Sequence, residues 1–118
     1  MCGKCREMLD IFASDTDLVM IEPLETQPGG NCSLKEVKEK YGGRLCLKGN
    51  VNTYQILAKA DIKDVLETSV QCIEDAKNGG GFIFSSGDQV PYETPPENLD
   101  IMVFAADKYG RYREGQEQ

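Results

Sequence analysis

Residues 81–98, GFIFSSGDQVPYETPPEN, decide the fold. An apolar run, Phe82-Ile83-Phe84, opens the stretch, and Ser-Ser-Gly-Asp closes that run. With no polar residue between them, these three side chains suit a buried parallel strand better than a two-faced one. Thr94 and Glu97 then stand at the spacing of a helix capping box, with Pro95 at the first helical position. The stretch therefore reads strand, loop, helix. Asp88 falls in the loop, at the carboxyl end of the strand.

The same unit recurs upstream. Ser33 and Glu36 predict a capping box that opens a helix over 34–41, stopped by Gly42-Gly43. RLCLKGN (44–50) reads as a strand and 52–60 as a short helical turn. Asp61 caps a longer helix whose Ile62, Val65, Leu66, Ser69, Ile73 and Ala76 share one face. Asn78 and the glycines 79–81 end it. Further back, 3–13 has helical spacing, Leu18 to Ile21 is a short strand closed by Pro23, and Pro28-Gly29-Gly30 punctuates a loop. The last helix runs to about Tyr109, and 113–118 form a frayed tail. A single α/β domain thus spans 1–112.

Strands separated by helices imply parallel pairing, right-handed crossovers and helices over both sheet faces. In such sheets chemistry gathers at the carboxyl ends of strands. Glu22, Gly49-Asn50 and Asp88 occupy those positions. The chain of 118 residues is far short of the roughly 250 that a closed (β/α)8 barrel needs.

Composition narrows the function. A net charge of −7 disfavours nucleic acid and anionic membranes as partners. No apolar run approaches the roughly 20 residues of a membrane span, and the polar start MCGKCREMLD is unlike a leader peptide. A cytoplasmic location follows as the expectation. Five cysteines, an odd number at scattered spacings, do not form a secreted disulfide framework. With no histidine in the chain, Ser-His-Asp and Cys-His catalysis within it are excluded. Cys46 and Cys72 read as core packing, and Cys2-x-x-Cys5 as a thiol pair or half of a metal site.

GGRLCLKGNVNTYQIL (42–57), the long helix after it, and GFIFSSGDQVPYETPPENLDIMV (81–103) together resemble the uroporphyrinogen decarboxylase superfamily. The resemblance covers about residues 2–110 and implies the last three β/α units of a (β/α)8 barrel. That superfamily holds porphyrinogen decarboxylases and cobamide-dependent methyltransferases. The methyltransferase branch ends its fifth strand with a His-x-Cys-Gly zinc motif. Cys2-Gly3 matches its second half, and the histidine would fall just before Met1. A further zinc ligand in that branch, a cysteine, follows the last strand; the porphyrinogen decarboxylases have histidine there, and this chain has Asp88.

The resemblance thus implies Cys2 and Asp88 as metal ligands and Asn50 and Glu22 as substrate-binding residues, Glu22 being a second carboxylate able to share the metal. It implies zinc as cofactor and a cobamide borne by a corrinoid protein partner. The function expected is that of a C-terminal piece of a zinc-dependent methyltransferase, inactive by itself. Its open sheet would be completed by the missing front of the barrel or by a second copy. Two alternatives accompany it: a non-catalytic oligomerising fragment or partner subunit, and a decarboxylase-type carboxy-lyase. The second lacks the arginines of the barrel's front half that hold propionates. For Asp88 itself, the simpler reading is a turn former that bonds backbone amides.

Overall fold

The computed structural model describes residues 2–112. A 3-10 turn, Arg6–Met8, leads into helix α1, Leu9–Ser14. There follow strand β1 (Met20–Ile21), helix α2 (Leu34–Tyr41), strand β2 (Cys46–Val51), a π-helical turn (Thr53–Ala58), helix α3 (Ile62–Ala76), strand β3 (Phe82–Ser86) and helix α4 (Pro96–Tyr109). The three strands form one parallel sheet in the order β1-β2-β3. The expected αβαβαβα order and parallel pairing are both present. The expected tail, 113–118, lies outside the described residues.

Two of the predicted helix starts hold because they are local. Ser33 Oγ accepts the Glu36 amide at 3.4 Å, and Asp61 Oδ1 accepts the Asp64 amide at 2.9 Å. A third cap was not foreseen: Asn52 Oδ1 accepts the Gln55 amide at 2.7 Å and starts the π-helical turn. The Thr94–Glu97 capping box does not form. Pro95 takes the cap position with no side-chain bond to the helix, and Thr94 Oγ1 is buried without a hydrogen-bond partner among the described residues. A proline at the cap moves the start of α4 one residue on, and Thr94 turns inward.

Ile21 pairs in register with Leu47, and Leu47 with Phe82. Ile21 and Leu47 are buried, and they join Leu34, Val37, Tyr41, Val65, Cys72 and Ala76 from the helices in one core. Phe82 packs against that core. The other face, carrying Met20 and Ile83, stays open: these side chains are 39% and 46% exposed. The expectation of helices over both faces is corrected accordingly. An uninterrupted apolar run does not reveal which of its two faces meets helices. Along α3 the buried side is Val65, Ser69, Cys72, Ile73 and Ala76, while Ile62, in the first turn, is exposed. Burying the core leucines Leu9, Leu24, Leu45, Leu47 and Leu57 stabilises the fold by about 2 kcal/mol each before entropy is counted.

Asn98 joins α4 to this body. Its amide donates to the carbonyl of Leu57 at 2.8 Å and of Ala60 at 3.2 Å. Both carbonyls lie where the π-helical turn gives way to α3, a place where the regular i−4 ladder leaves acceptors unused. No helix among the described residues is long and apolar enough to cross a membrane.

Candidate metal centre

The carboxyl ends of all three strands meet on one side of the sheet. β3 ends at Ser86, in register with Val51 at the end of β2. Gly87 then turns tightly, its amide donating to the Val51 carbonyl at 2.7 Å. A Cβ at Gly87 would sit 3.1 Å from that oxygen, so glycine lets the loop hug the sheet. Asp88 follows and projects from this turn.

Two contacts orient the Asp88 carboxylate. The Gln89 amide donates to Oδ1 at 2.7 Å, and Cys2 Sγ donates to Oδ2 at 3.4 Å. The amide of Gln89 and the thiol of Cys2 together hold Asp88 below its usual pKa. The same bond and the charge of Asp88 raise that of Cys2. One Asp88 oxygen thus serves the loop, as the turn reading expects, and the other faces the Cys2 thiol.

Glu25 is the third member. One ligand atom from each of Cys2, Glu25 and Asp88 lies within 4.8 Å of the others. The Gly3 amide donates to Glu25 Oε2 at 3.2 Å, which fixes that carboxylate beside the Cys2 segment. The loop that presents Glu25 folds back on itself, with the Gly30 amide on Thr26 O at 2.8 Å and the Cys32 amide on Glu25 O at 3.0 Å. A Cβ on Gly30 would fall 2.1 Å from Glu25 O, so only glycine fits. The Pro28-Gly29-Gly30 punctuation is the sequence signal for this turn, and it could have pointed to Glu25.

The structure thus brings two of the four predicted site residues, Cys2 and Asp88, into contact. Glu22 lies elsewhere: it pairs with Lys48 Nζ at 2.9 Å, in a groove that shares Asp88 and Gln89 with the main site. Asn50 lies in the floor of the main cleft, buried to 4% exposure. Its amide donates to Leu24 O at 2.7 Å and its Oδ1 accepts from Cys72 Sγ at 3.4 Å. Burial pushes the Cys72 thiol up to about 11. Cys2 and Cys5 do not act as a pair. Cys5 is buried with its sulfur 3.5 Å from that of Cys32, whose thiol burial pushes up to about 12.

The donor set suits zinc. Cys2, once a metal displaces its thiol proton, and two carboxylates would supply three ligands and leave a position open. Tetrahedral Zn–S and Zn–O bonds place sulfur and oxygen about 3.5 Å apart, close to the 3.4 Å between Cys2 Sγ and Asp88 Oδ2. The backbone amides on Glu25 and Asp88 act as outer supports of the kind that orient metal ligands. Beside the cluster opens a cleft of about 420 Å³. Glu25 and Asp88 lie on its wall with Asn52, Gln55 and Gln89, and among the described residues neither lysine nor arginine lines it.

Comparison with known proteins adds a frame to this geometry. The family model described as Uroporphyrinogen decarboxylase (URO-D) matches residues 1–109. A protein named uroporphyrinogen decarboxylase from Cupriavidus necator is 28% identical over 80 residues, 67% of this chain and 22% of that protein. Its counterpart from Cupriavidus pinatubonensis is 26% identical over the same shares. A solved methyltransferase from Methanosarcina mazei superposes with a TM-score of 0.62 at 26% identity, covering 75% of this chain and 24% of the other. The chain spans about a fifth to a quarter of the length of these relatives.

Proposed function

Because the chain belongs to the uroporphyrinogen decarboxylase family, we propose that it forms the last β/α units and part of the metal site of a thiol methyltransferase in that family. The observation that carries this reading is the convergence of Cys2, Glu25 and Asp88 at the strand ends. Zinc held by these three would lower the pKa of an acceptor thiol and hold it as the nucleophile for a methyl-cobamide. Asp88 keeps one oxygen toward Cys2 while the Gln89 amide bonds the other, which orients the carboxylate toward the cluster. Asn50 holds the Leu24 carbonyl and so sets the loop that carries Glu25. Beyond its bond to Leu24, Asn50 has a second side-chain N–H for an acceptor, and Glu22, ion-paired with Lys48 in the adjoining groove, would meet the other end of a larger ligand.

A corrinoid protein brings the methyl-cobamide, and the open sheet face with Met20 and Ile83 takes the rest of the barrel or a second copy. By itself the chain is inactive. We place the reaction in the cytoplasm, where the five free cysteines stay reduced. The names of the curated relatives favour a carboxy-lyase as the second reading. A polycarboxylate in the cleft would meet Glu25 and Asp88, and among the described residues neither lysine nor arginine lines it. Equilibrium dialysis against zinc tests the proposal. One zinc per chain, lost in Cys2→Ala and weakened at least tenfold in Glu25→Gln and Asp88→Asn, is expected. Zinc binding that ignores all three substitutions, or none at all, overturns it.

A further inference from the structure

We propose that Cys5 and Cys32 form an oxidation site, in which a peroxide converts a buried pair of thiols into a disulfide that ties the Cys2 segment to the loop carrying Glu25. The staple uses no metal and is independent of the zinc reading.

The two sulfurs stand 3.5 Å apart although 27 positions separate the residues in sequence. Cys5 is 0% and Cys32 4% exposed, so neither sulfur has room to turn far from the other. Polar bonds zip the same two segments together around the pair. The Gly3 amide donates to Glu25 Oε2 at 3.2 Å, the Arg6 amide to Asn31 Oδ1 at 3.1 Å, and the Asn31 side chain to the Glu7 carboxylate at 3.1 Å. The Cys32 amide holds the Glu25 carbonyl at 3.0 Å. The fold has thus already brought the sulfurs together, and they need only close to the roughly 2.0 Å of a disulfide bond. Cys32 also lines a cavity of about 690 Å³, which admits a peroxide to the more exposed of the two residues. With hydrogen peroxide the step balances. Cys32 Sγ attacks one peroxide oxygen, the O–O bond breaks, and a first water leaves a sulfenic acid behind. Cys5 Sγ then attacks that sulfur, and its hydroxyl leaves as a second water. The two thiol protons end on the waters, and the two thiols give up two electrons to the peroxide. Burial pushes the Cys32 thiol up to about 12, so the pair responds to sustained oxidation rather than as a fast sensor. In a reducing compartment it rests as thiols.

The test incubates the intact chain with hydrogen peroxide, alkylates its remaining thiols after denaturation and maps its peptides by mass spectrometry. Cys5 and Cys32 are expected to escape alkylation together, joined by a link that dithiothreitol reverses. The oxidised chain should melt about 10 °C higher, because the link removes freedom from the unfolded chain. Amide exchange at Gly3 and Arg6, whose bonds cross between the tied segments, should slow. Cys32→Ala should abolish both the link and the rise in Tm. Should that variant fail to fold, the map of the unaltered chain decides alone. A principal link between Cys2 and Cys5 overturns the proposal. So does sulfinic acid at Cys32 with Cys5 left as a thiol, or a pair that stays reduced while the exposed Cys2 is fully oxidised. A mapped link with no rise in Tm and no slowing of exchange overturns it as well, since the two segments are then not tied.

Discussion

Replacing Asn50 with alanine tests whether the site is held from below. The Asn50 side chain is buried to 4% exposure and donates to the Leu24 carbonyl at 2.7 Å. Alanine removes that donor and leaves a buried carbonyl without its partner. The lost bond and the stranded acceptor together cost about 2–3 kcal/mol. For a chain of this size each kcal/mol lowers Tm by about 4 °C, so a fall of about 8–12 °C is expected. Thermal melts followed by circular dichroism measure it. The functional arm is zinc affinity. Leu24 precedes Glu25, so releasing its carbonyl loosens the loop that carries Glu25, and zinc should bind roughly tenfold more weakly. Asn50→Asp separates lost packing from lost donation. It keeps the volume but sets carboxylate oxygen against carbonyl oxygen. This variant should be at least as unstable at neutral pH and recover part of its stability in acid, where the protonated carboxyl again donates. An Asn50→Ala protein that melts within about 2 °C of the parent and binds zinc equally well would refute the reasoning.

Other perturbations separate local from tertiary effects. Asn98→Leu strands the carbonyls of Leu57 and Ala60 and should cost about 2–4 kcal/mol in urea unfolding, with faster amide exchange over 57–65. Thr94→Val removes a buried hydroxyl that has no partner among the described residues. It should be neutral or stabilising by up to about 1 kcal/mol, whereas a working cap would lose about that much. The Cys72 thiol, raised from 9.0 to about 11 by burial, keeps its proton in the folded chain where the unfolded chain releases it. Its contribution to stability is therefore full below pH 9 and lost as pH rises to about 11, at most about 2–3 kcal/mol. Cys72→Val should flatten that part of the pH–stability curve.

Much of this architecture is written in short-range signals. Ser33 and Asp61 cap their helices from within the sequence, and the glycines 79–81 stop α3 on schedule. Thr94–Glu97 has the same spacing as Ser33–Glu36 and fails, because Pro95 takes the cap and Thr94 is drawn under the surface. That outcome depends on packing, which spacing alone does not encode. The site shows the same division. Asp88 and Cys2 stand next to recognisable features and do meet. Glu25 lies four residues beyond β1 and reaches the cluster only because the chain reverses at Gly30. Glu22, nearer the strand end and so the more obvious choice, is taken by Lys48 from the neighbouring strand. Strand register decides between the two carboxylates, and register is a tertiary property.

X-ray absorption at the zinc edge of the loaded chain tests the central claim most directly. The account predicts one sulfur at about 2.3 Å and the remaining near neighbours oxygen at about 2.0–2.2 Å, with the sulfur signal abolished by Cys2→Ala. A shell with no sulfur, or one with two or more that survives that substitution, would contradict it.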